Sequence, residues 1–314
     1  MKLEQRGREG QEPSSALTVD IDENAGFCAG VARAIALAEG ALAKGRLASI
    51  GPVIHNPAEV VRLQQKGLLT IPQEEVESCD PRTLGVRRVL IRSHGVSESL
   101  RARLAEAGLE VVDGTCPIVR RVQQLVKDYC ARGYRVVVFG KKDHPEVLGL
   151  VGHCPQGAVV VGSLEEAGKI APGPPTVLVA QTTAPEARFH EVAAALRRRL
   201  PSLEVFNTTC RSVSRRQESI AAFARAHDVV VFVGGKESSN SRQLFDICQQ
   251  NNKRSFWVES ADEVQAGWFG PGEAVGITGG ASTPRWLLER VASHVAHVAR
   301  TCGHEKHIKG GSAE

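Results

Sequence analysis

Aromatic residues are scarce in this chain: two tyrosines, three tryptophans and nine phenylalanines make up 4% of 314 residues. So thin a supply argues against a base-stacking nucleic-acid surface. A strong excess of one charge is missing too, because 39 basic against 35 acidic residues leave a net charge of only +4, too little to mark a nucleic-acid binder. No apolar run approaches the roughly 20 residues that span a bilayer. The opening MKLEQRGREGQEPSSA carries no apolar signal core, so the expectation is a cytoplasmic protein. No P-loop or dinucleotide fingerprint is present, and a nucleotide is not implied. The eight cysteines include no close C-x-x-C pair, which argues against a structural zinc site. In a reducing compartment they are not expected to form a disulfide framework, so those that matter should be metal-bound, redox-active or simply buried.

What remains is an ordinary globular composition, 42% hydrophobic and 24% charged, on a chain long enough for two or three α/β units of about 100 residues each. Runs such as RVVVF, TVLVA and VVVFV are continuously apolar and β-branched, as in strands buried on both faces of a parallel sheet. Helical segments alternate with them, which is the pattern of doubly wound α/β units. The polar ends, 1–16 and 301–314, are expected to be disordered tails.

The chain also repeats itself. Cys28 follows the strand-like LTVDI, Cys116 follows LEVVDGT and Cys210 follows LEVFNTT, with spacings of 88 and 94 residues. A second series, IGPVIHN, VVVFGKKDHPE and VVVFVGGKESSN, and a third, VLIRSHGVSES, TVLVAQTTAPE and AVGITGGASTP, recur at matching intervals. Three such series predict three pseudo-repeated α/β units with mainly parallel sheets. Their spans are 29–115, 116–209 and 210–300, the last completed by an N-terminal strand within 17–28. Ligands of such sheets lie beyond the carboxyl ends of the strands, so the three edges should meet at one centre.

Three cysteines at that centre suit a metal better than a disulfide, which would leave one sulfur over. Each is expected at a helix N-terminus, where the helix dipole favours thiolate. Iron–sulfur clusters normally take four cysteines, so three leave one iron without a protein ligand. Cys79, Cys130, Cys154, Cys248 and Cys302 have no counterparts in the repeat and are assigned to packing or surface. His55, His94 and His144 fall at strand ends, with Ser238, Asn240 and Ser282 in the corresponding places of the third unit. Histidines, hydroxyls, an amide and helix N-termini around one cavity match an anion with several oxygens, and a diphosphate is the natural choice. Glu146, with Thr182 nearby, is a candidate proton donor, since a desolvated carboxyl has its pKa pushed upward.

GFCAGV, HGVSES, DGTCPIV, HPEVLG, AQTT, SSNS and GASTP, in this order over residues 17–300, resemble the 4-hydroxy-3-methylbut-2-enyl diphosphate reductase family, the last enzymes of the methylerythritol phosphate route to isoprenoids. The resemblance implies a cloverleaf of three α/β domains around a [4Fe–4S] cluster with three ligands, here Cys28, Cys116 and Cys210. It implies that His55, His94, His144, Ser238, Ser239, Asn240 and Ser282 bind the diphosphate, that Glu146 is the proton donor and that Thr182 is the hydroxyl beside it. It further implies removal of an allylic hydroxyl as water, with isopentenyl and dimethylallyl diphosphates as products and a ferredoxin or flavodoxin as electron donor. Arg120, Arg121 and Arg197 to Arg199 are candidate contacts for an acidic donor. The family's C-x-x-T-x-x-R-Q pattern is CRSVSRRQ here, so Val213 stands where a threonine is expected, with Ser212 or Ser214 as candidate substitutes. A paralogue acting on another allylic or aromatic substrate, and a non-catalytic iron–sulfur sensor, are the alternative readings.

Overall fold

The computed structural model describes residues 17–308, with side chains described as far as Val298. The expected tail 1–16 and residues 309–314 lie outside the described residues.

The chain enters through β1 (Thr18–Ile21) and α1 (Ala29–Leu42). There follow β2 (Leu47–Ile50), α2 (Pro57–Gln65), β3 (Leu68–Ile71), α3 (Gln73–Ser78), β4 (Arg88–Ile91), α4 (Glu98–Glu106) and β5 (Glu110–Asp113). These strands form a parallel sheet in the order β3-β2-β4-β5. Next come α5 (Pro117–Ala131), β6 (Arg135–Phe139), α6 (Pro145–Val151), β7 (Val159–Val161), α7 (Leu164–Gly168), β8 (Thr176–Ala180), α8 (Glu186–Arg197) and β9 (Leu203–Val205), with the equivalent order β7-β6-β8-β9. The last stretch comprises α9 (Arg211–Arg225), β10 (Val229–Val233), α10 (Ser239–Asn251), β11 (Ser255–Val258), β12 (Ala274–Gly279) and α11 (Arg285–Ile308). Its three strands take the order β11-β10-β12, and the fourth position is filled by β1, which pairs in parallel with β12 from Thr18 opposite Ala274 to Ile21 opposite Ile277. The fold is thus α/β with three four-stranded parallel sheets. α11 continues to Ile308, so the tail expected from 301 begins as helix; no proline interrupts the stretch after Arg300.

The apolar runs form strands because each face has a helix layer to bury against. Val229, Val231 and Val233 of β10 pack into one core cluster while Val230 and Phe232 pack into another. Val137 and Phe139 of β6 likewise face away from Val136 and Val138. Both-face burial removes any polar alternation and leaves the strand ends as the places where polar groups can gather.

One expectation about the cysteines fails. Cys130 and Cys154 form a disulfide, Cα atoms 5.5 Å apart and 24 residues distant in sequence, rather than serving as separate packing thiols. Packing of α5 against α6 brings the end of one helix beside the turn after the other, a proximity that a search for repeated cysteine turns does not detect. Cys28, Cys79, Cys116, Cys210 and Cys248 are free.

Candidate active site

The three sheets present equivalent edges to one cavity of about 110 Å³ lined by Cys28, Cys116, Cys210, His55, His94, His144, Glu146, Thr182, Ser238, Ser239, Asn240 and Ser282. Every residue expected at the site therefore lines it. A larger cavity of about 510 Å³ adjoins it across Thr183 and Ser239 but contains none of the cysteines or histidines, so size alone does not select the site.

Each cysteine follows the edge strand of its sheet and occupies a helix N-cap: Cys28 on α1, Cys116 on α5 and Cys210 on α9. N-caps normally carry a hydroxyl, carboxylate or amide oxygen that accepts from the first turn, as Asn56, Ser97 and Ser238 do here. The three cysteines make no such capping bond, which leaves their sulfurs free for another partner. Convergence is tight at Gly30, where an added Cβ would stand 2.7 Å from Cys116 Sγ and 4.0 Å from Cys28 Sγ. The helix-terminus argument expected a thiolate at Cys28. Burial instead pushes its pKa up, outweighing the backbone N–H groups of Val31 and Gly30, and the nearby Cys116 and Cys210 add to the rise.

The histidines cluster opposite. Ring centroids of His55 and His94 lie 5.2 Å apart, those of His94 and His144 5.2 Å, and those of His55 and His144 6.4 Å. One ring nitrogen from each of the three lies within 4.8 Å of the other two. Burial is the main cause that lowers all three pKa values, that of His144 to about 4 and that of His94 well below the usual imidazole value, so the imidazoles are neutral at pH 7. His144 caps α6, its Nδ1 accepting from the Glu146 N–H at 3.1 Å. A neutral ring accepting at Nδ1 carries its proton on Nε2, which is then a donor. His94 Nδ1 and Asn240 Nδ2 are buried without protein partners, as expected of groups that await a ligand. Asn240 is oriented by the Ala281 N–H, which donates to its Oδ1 at 2.9 Å, and the Ser282 hydroxyl reaches the His55 carbonyl at 3.4 Å.

Glu146 is 1% exposed. Desolvation raises its pKa to about 7 despite hydrogen bonds from Thr182: the Thr182 N–H donates to Oε1 at 2.5 Å and the hydroxyl to Oε2 at 2.8 Å. A carboxyl half-protonated at neutral pH is matched to giving up a proton.

Sequence comparison settles the grouping. Residues 19–296 match the family model described as LytB protein. The chain belongs to this LytB family. It is 40% identical over 278 residues to the 4-hydroxy-3-methylbut-2-enyl diphosphate reductase of Caldanaerobacter subterraneus subsp. tengcongensis, covering 88% of this chain and 95% of that one. It is also 40% identical over 283 residues to the enzyme of the same name from Aquifex aeolicus, covering 88% and 96%. A solved structure of (E)-4-hydroxy-3-methyl-but-2-enyl diphosphate reductase superposes with a TM-score of 0.67 at 38% identity, covering 89% of this chain and 99% of that one. The Plasmodium falciparum E-1-hydroxy-2-methyl-but-2-enyl-4-diphosphate reductase shares the fold with a TM-score of 0.77 at 23% identity, covering 90% and 88%.

Against the LytB pattern, Val213 lines the cavity and neither neighbouring serine replaces the missing hydroxyl. Ser214 donates to Glu186 at 2.9 Å, and Ser212 faces a separate cavity with Asn207 and Arg211. Arg216, from the same motif, pairs with Asp22 at 2.7 Å and with Thr278 at 2.6 Å, tying the Cys210 helix to β12 and to the loop leading to Cys28. Thr183, Ser93 and Ala281 also line the cavity and were not expected; adjacency to Thr182, His94 and Ser282 was the available signal. Arg120, one of the candidate donor contacts, pairs with Asp113 at 2.8 Å.

Proposed function

We propose that this chain is a 4-hydroxy-3-methylbut-2-enyl diphosphate reductase that takes up two electrons and two protons, breaks the allylic carbon–oxygen bond and releases water with isopentenyl and dimethylallyl diphosphates. The observation that carries the reading is the convergence in one cavity of three uncapped N-cap cysteines, a neutral histidine trio and a buried carboxyl, in a chain about 40% identical to enzymes of that name. Cys28, Cys116 and Cys210 fit a [4Fe–4S] cluster, because all three line one cavity from helix N-caps without capping bonds and glycine stands where a side chain would meet two of the sulfurs. When bound, such a cluster supplies one-electron reducing equivalents and an open coordination position.

The protein's own groups do the rest. His94, His144 through Nε2–H, His55 and the Ser238-Ser239-Asn240 turn bind the diphosphate, with Ser282 closing the side next to His55. The N-terminus of α10 adds its peptide N–H groups and dipole to the same anion. Thr182 holds Glu146 in place by two hydrogen bonds, so the carboxyl delivers its proton from a fixed position and the Thr182 hydroxyl is available to relay it. A ferredoxin or flavodoxin donor and a cytoplasmic setting belong to the same proposal.

The test is anaerobic purification, iron and sulfide counting, and turnover of the allylic diphosphate with reduced viologen. Cluster-bound protein that turns over confirms the reading. Colourless protein without iron overturns it, and an intact cluster without turnover of this substrate leaves a paralogue acting on another allylic or aromatic substrate, which Val213 in the cavity wall would favour, or a non-catalytic iron–sulfur sensor. Cys116→Ser should lose cluster and activity together.

A further inference from the structure

The histidine trio has a charged neighbour to which the preceding reading gives no role. Arg92 follows β4 directly, two residues before His94, and is 5% exposed. Its Nε is buried without a hydrogen-bond partner, and among the described residues its side chain forms no ion pair. The guanidinium packs on Gly51 at the carboxyl end of β2: a Cβ there would stand 2.8 Å from the guanidinium carbon and 2.9 and 3.1 Å from its two terminal nitrogens. Only glycine, here at φ 72°, admits the group. A fold rarely buries an uncompensated charge, because desolvation has no attraction to offset it. Glu74 offers Arg92 some electrostatic compensation but no ion pair, which leaves room for the negative charge of a ligand. Burial lowers the Arg92 pKa only to about 10, so the group stays cationic at neutral pH.

We propose that Arg92 is an electrostatic positioning residue for the diphosphate site. Its fixed charge draws the polyanion inward and adds to burial in keeping His55, His94 and His144 neutral hydrogen-bonding groups. Arg92 does not line the cavity itself, so it acts through its field and through the rings. That field reaches all three histidines. The other charged groups facing the assembly are Lys141 near His144, Glu237 near His55 and Glu74 near Arg92. The inference rests on the diphosphate reading above and gives that site a buried permanent cation beside the exposed Lys141.

The test compares anaerobic holoenzyme carrying Arg92→Gln, Arg92→Lys or His94→Asn, with cluster content measured for each. Inorganic diphosphate binding is read by calorimetry, and imidazole titration by NMR. Arg92→Gln should weaken diphosphate binding and raise KM by about tenfold or more while kcat changes by less than about threefold. Its histidines should titrate at higher pH, since a positive neighbour has gone. Arg92→Lys should recover most of the affinity. Unchanged diphosphate affinity in Arg92→Gln, with a clear loss in His94→Asn, overturns the proposal; unchanged affinity in both variants overturns the diphosphate reading itself. Should Arg92→Gln not fold, Arg92→Lys decides. Its charge is kept, so affinity within about threefold of the unaltered enzyme is expected, and a loss as large as that of His94→Asn refutes an electrostatic role.

Discussion

Glu146, the proposed proton donor, shows how burial alone changes the titration of an ordinary carboxyl. Its pKa near 7 comes from burial, which the two bonds from Thr182 only partly offset. An acid must be protonated to act, so kcat/KM, which reports the free enzyme, should fall as pH rises through about 7. Glu146→Gln should keep the cluster, lose turnover and abolish that limb; a variant retaining the same pH profile would assign the proton to another group. Gly30 is the other decisive single residue. A methyl group there meets Cys116 Sγ at 2.7 Å, and a sulfur carried on a short side chain has little room to retreat. Gly30→Ala should therefore fold but bind substoichiometric iron, as counted against protein after anaerobic reconstitution. Full iron content would show that the sulfurs meet less tightly than they do here.

Among the elements, α5 and α6 couple the two halves of the site. α5 begins at Cys116 and α6 at His144, with Glu146 on its first turn. Their far ends are joined through Cys130 and Cys154. Closing a loop of 24 residues restricts the unfolded chain and stabilises the fold by about 3 kcal/mol on the chain-entropy account. Reductant should lower the denaturant midpoint of the cluster-free unaltered chain correspondingly, and Cys154→Ala should be insensitive to it. Equal midpoints with and without reductant would show that the bridge is not formed in solution. This pairing illustrates a limit of reading by repeats. Cys28, Cys116 and Cys210 were legible because each recurs after an equivalent strand, and His55, His94 and His144 for the same reason. Cys130 and Cys154 have no counterparts, since they belong to packing inside one unit, and their proximity exists only once two helices lie side by side. Val213 was legible as a departure, but that Ser214 is held by Glu186 depends on a contact 28 residues away in the chain.

At the scale of the molecule, the first strand completes the last sheet, so the arrangement closes on itself and each sheet sends one cysteine from its edge strand and a polar strand end to the same cavity. The place of the strand within 17–28 in the last unit and a raised pKa at Glu146 were expected from the sequence, whereas the burial that keeps the three imidazoles neutral was not. Burial has a consequence for stability because folding leaves His55, His94 and His144 less able to take protons than they are in the unfolded chain. A histidine with a lowered folded pKa lets the unfolded state bind protons first, so stability is lost as pH falls from about 6.5, the free imidazole value, toward the folded pKa. For His144 that window extends down to about 4. Glu146 acts in the opposite sense: its raised pKa means that its burial is least costly below about 4.5 and most costly above about 7. Three histidines against one glutamate give a net loss on acidification below pH 6. The unaltered holoenzyme should show a falling unfolding midpoint between pH 7 and 5, and His144→Gln should show a shallower fall because one proton acceptor of the unfolded state is gone. Inorganic diphosphate should flatten the slope further, since a bound polyanion favours protonated imidazoles and raises their folded pKa values. Equal slopes for His144→Gln and the unaltered enzyme would mean that the imidazole at 144 takes up protons in the folded enzyme as readily as in the unfolded chain, and the neutral trio would have to be abandoned.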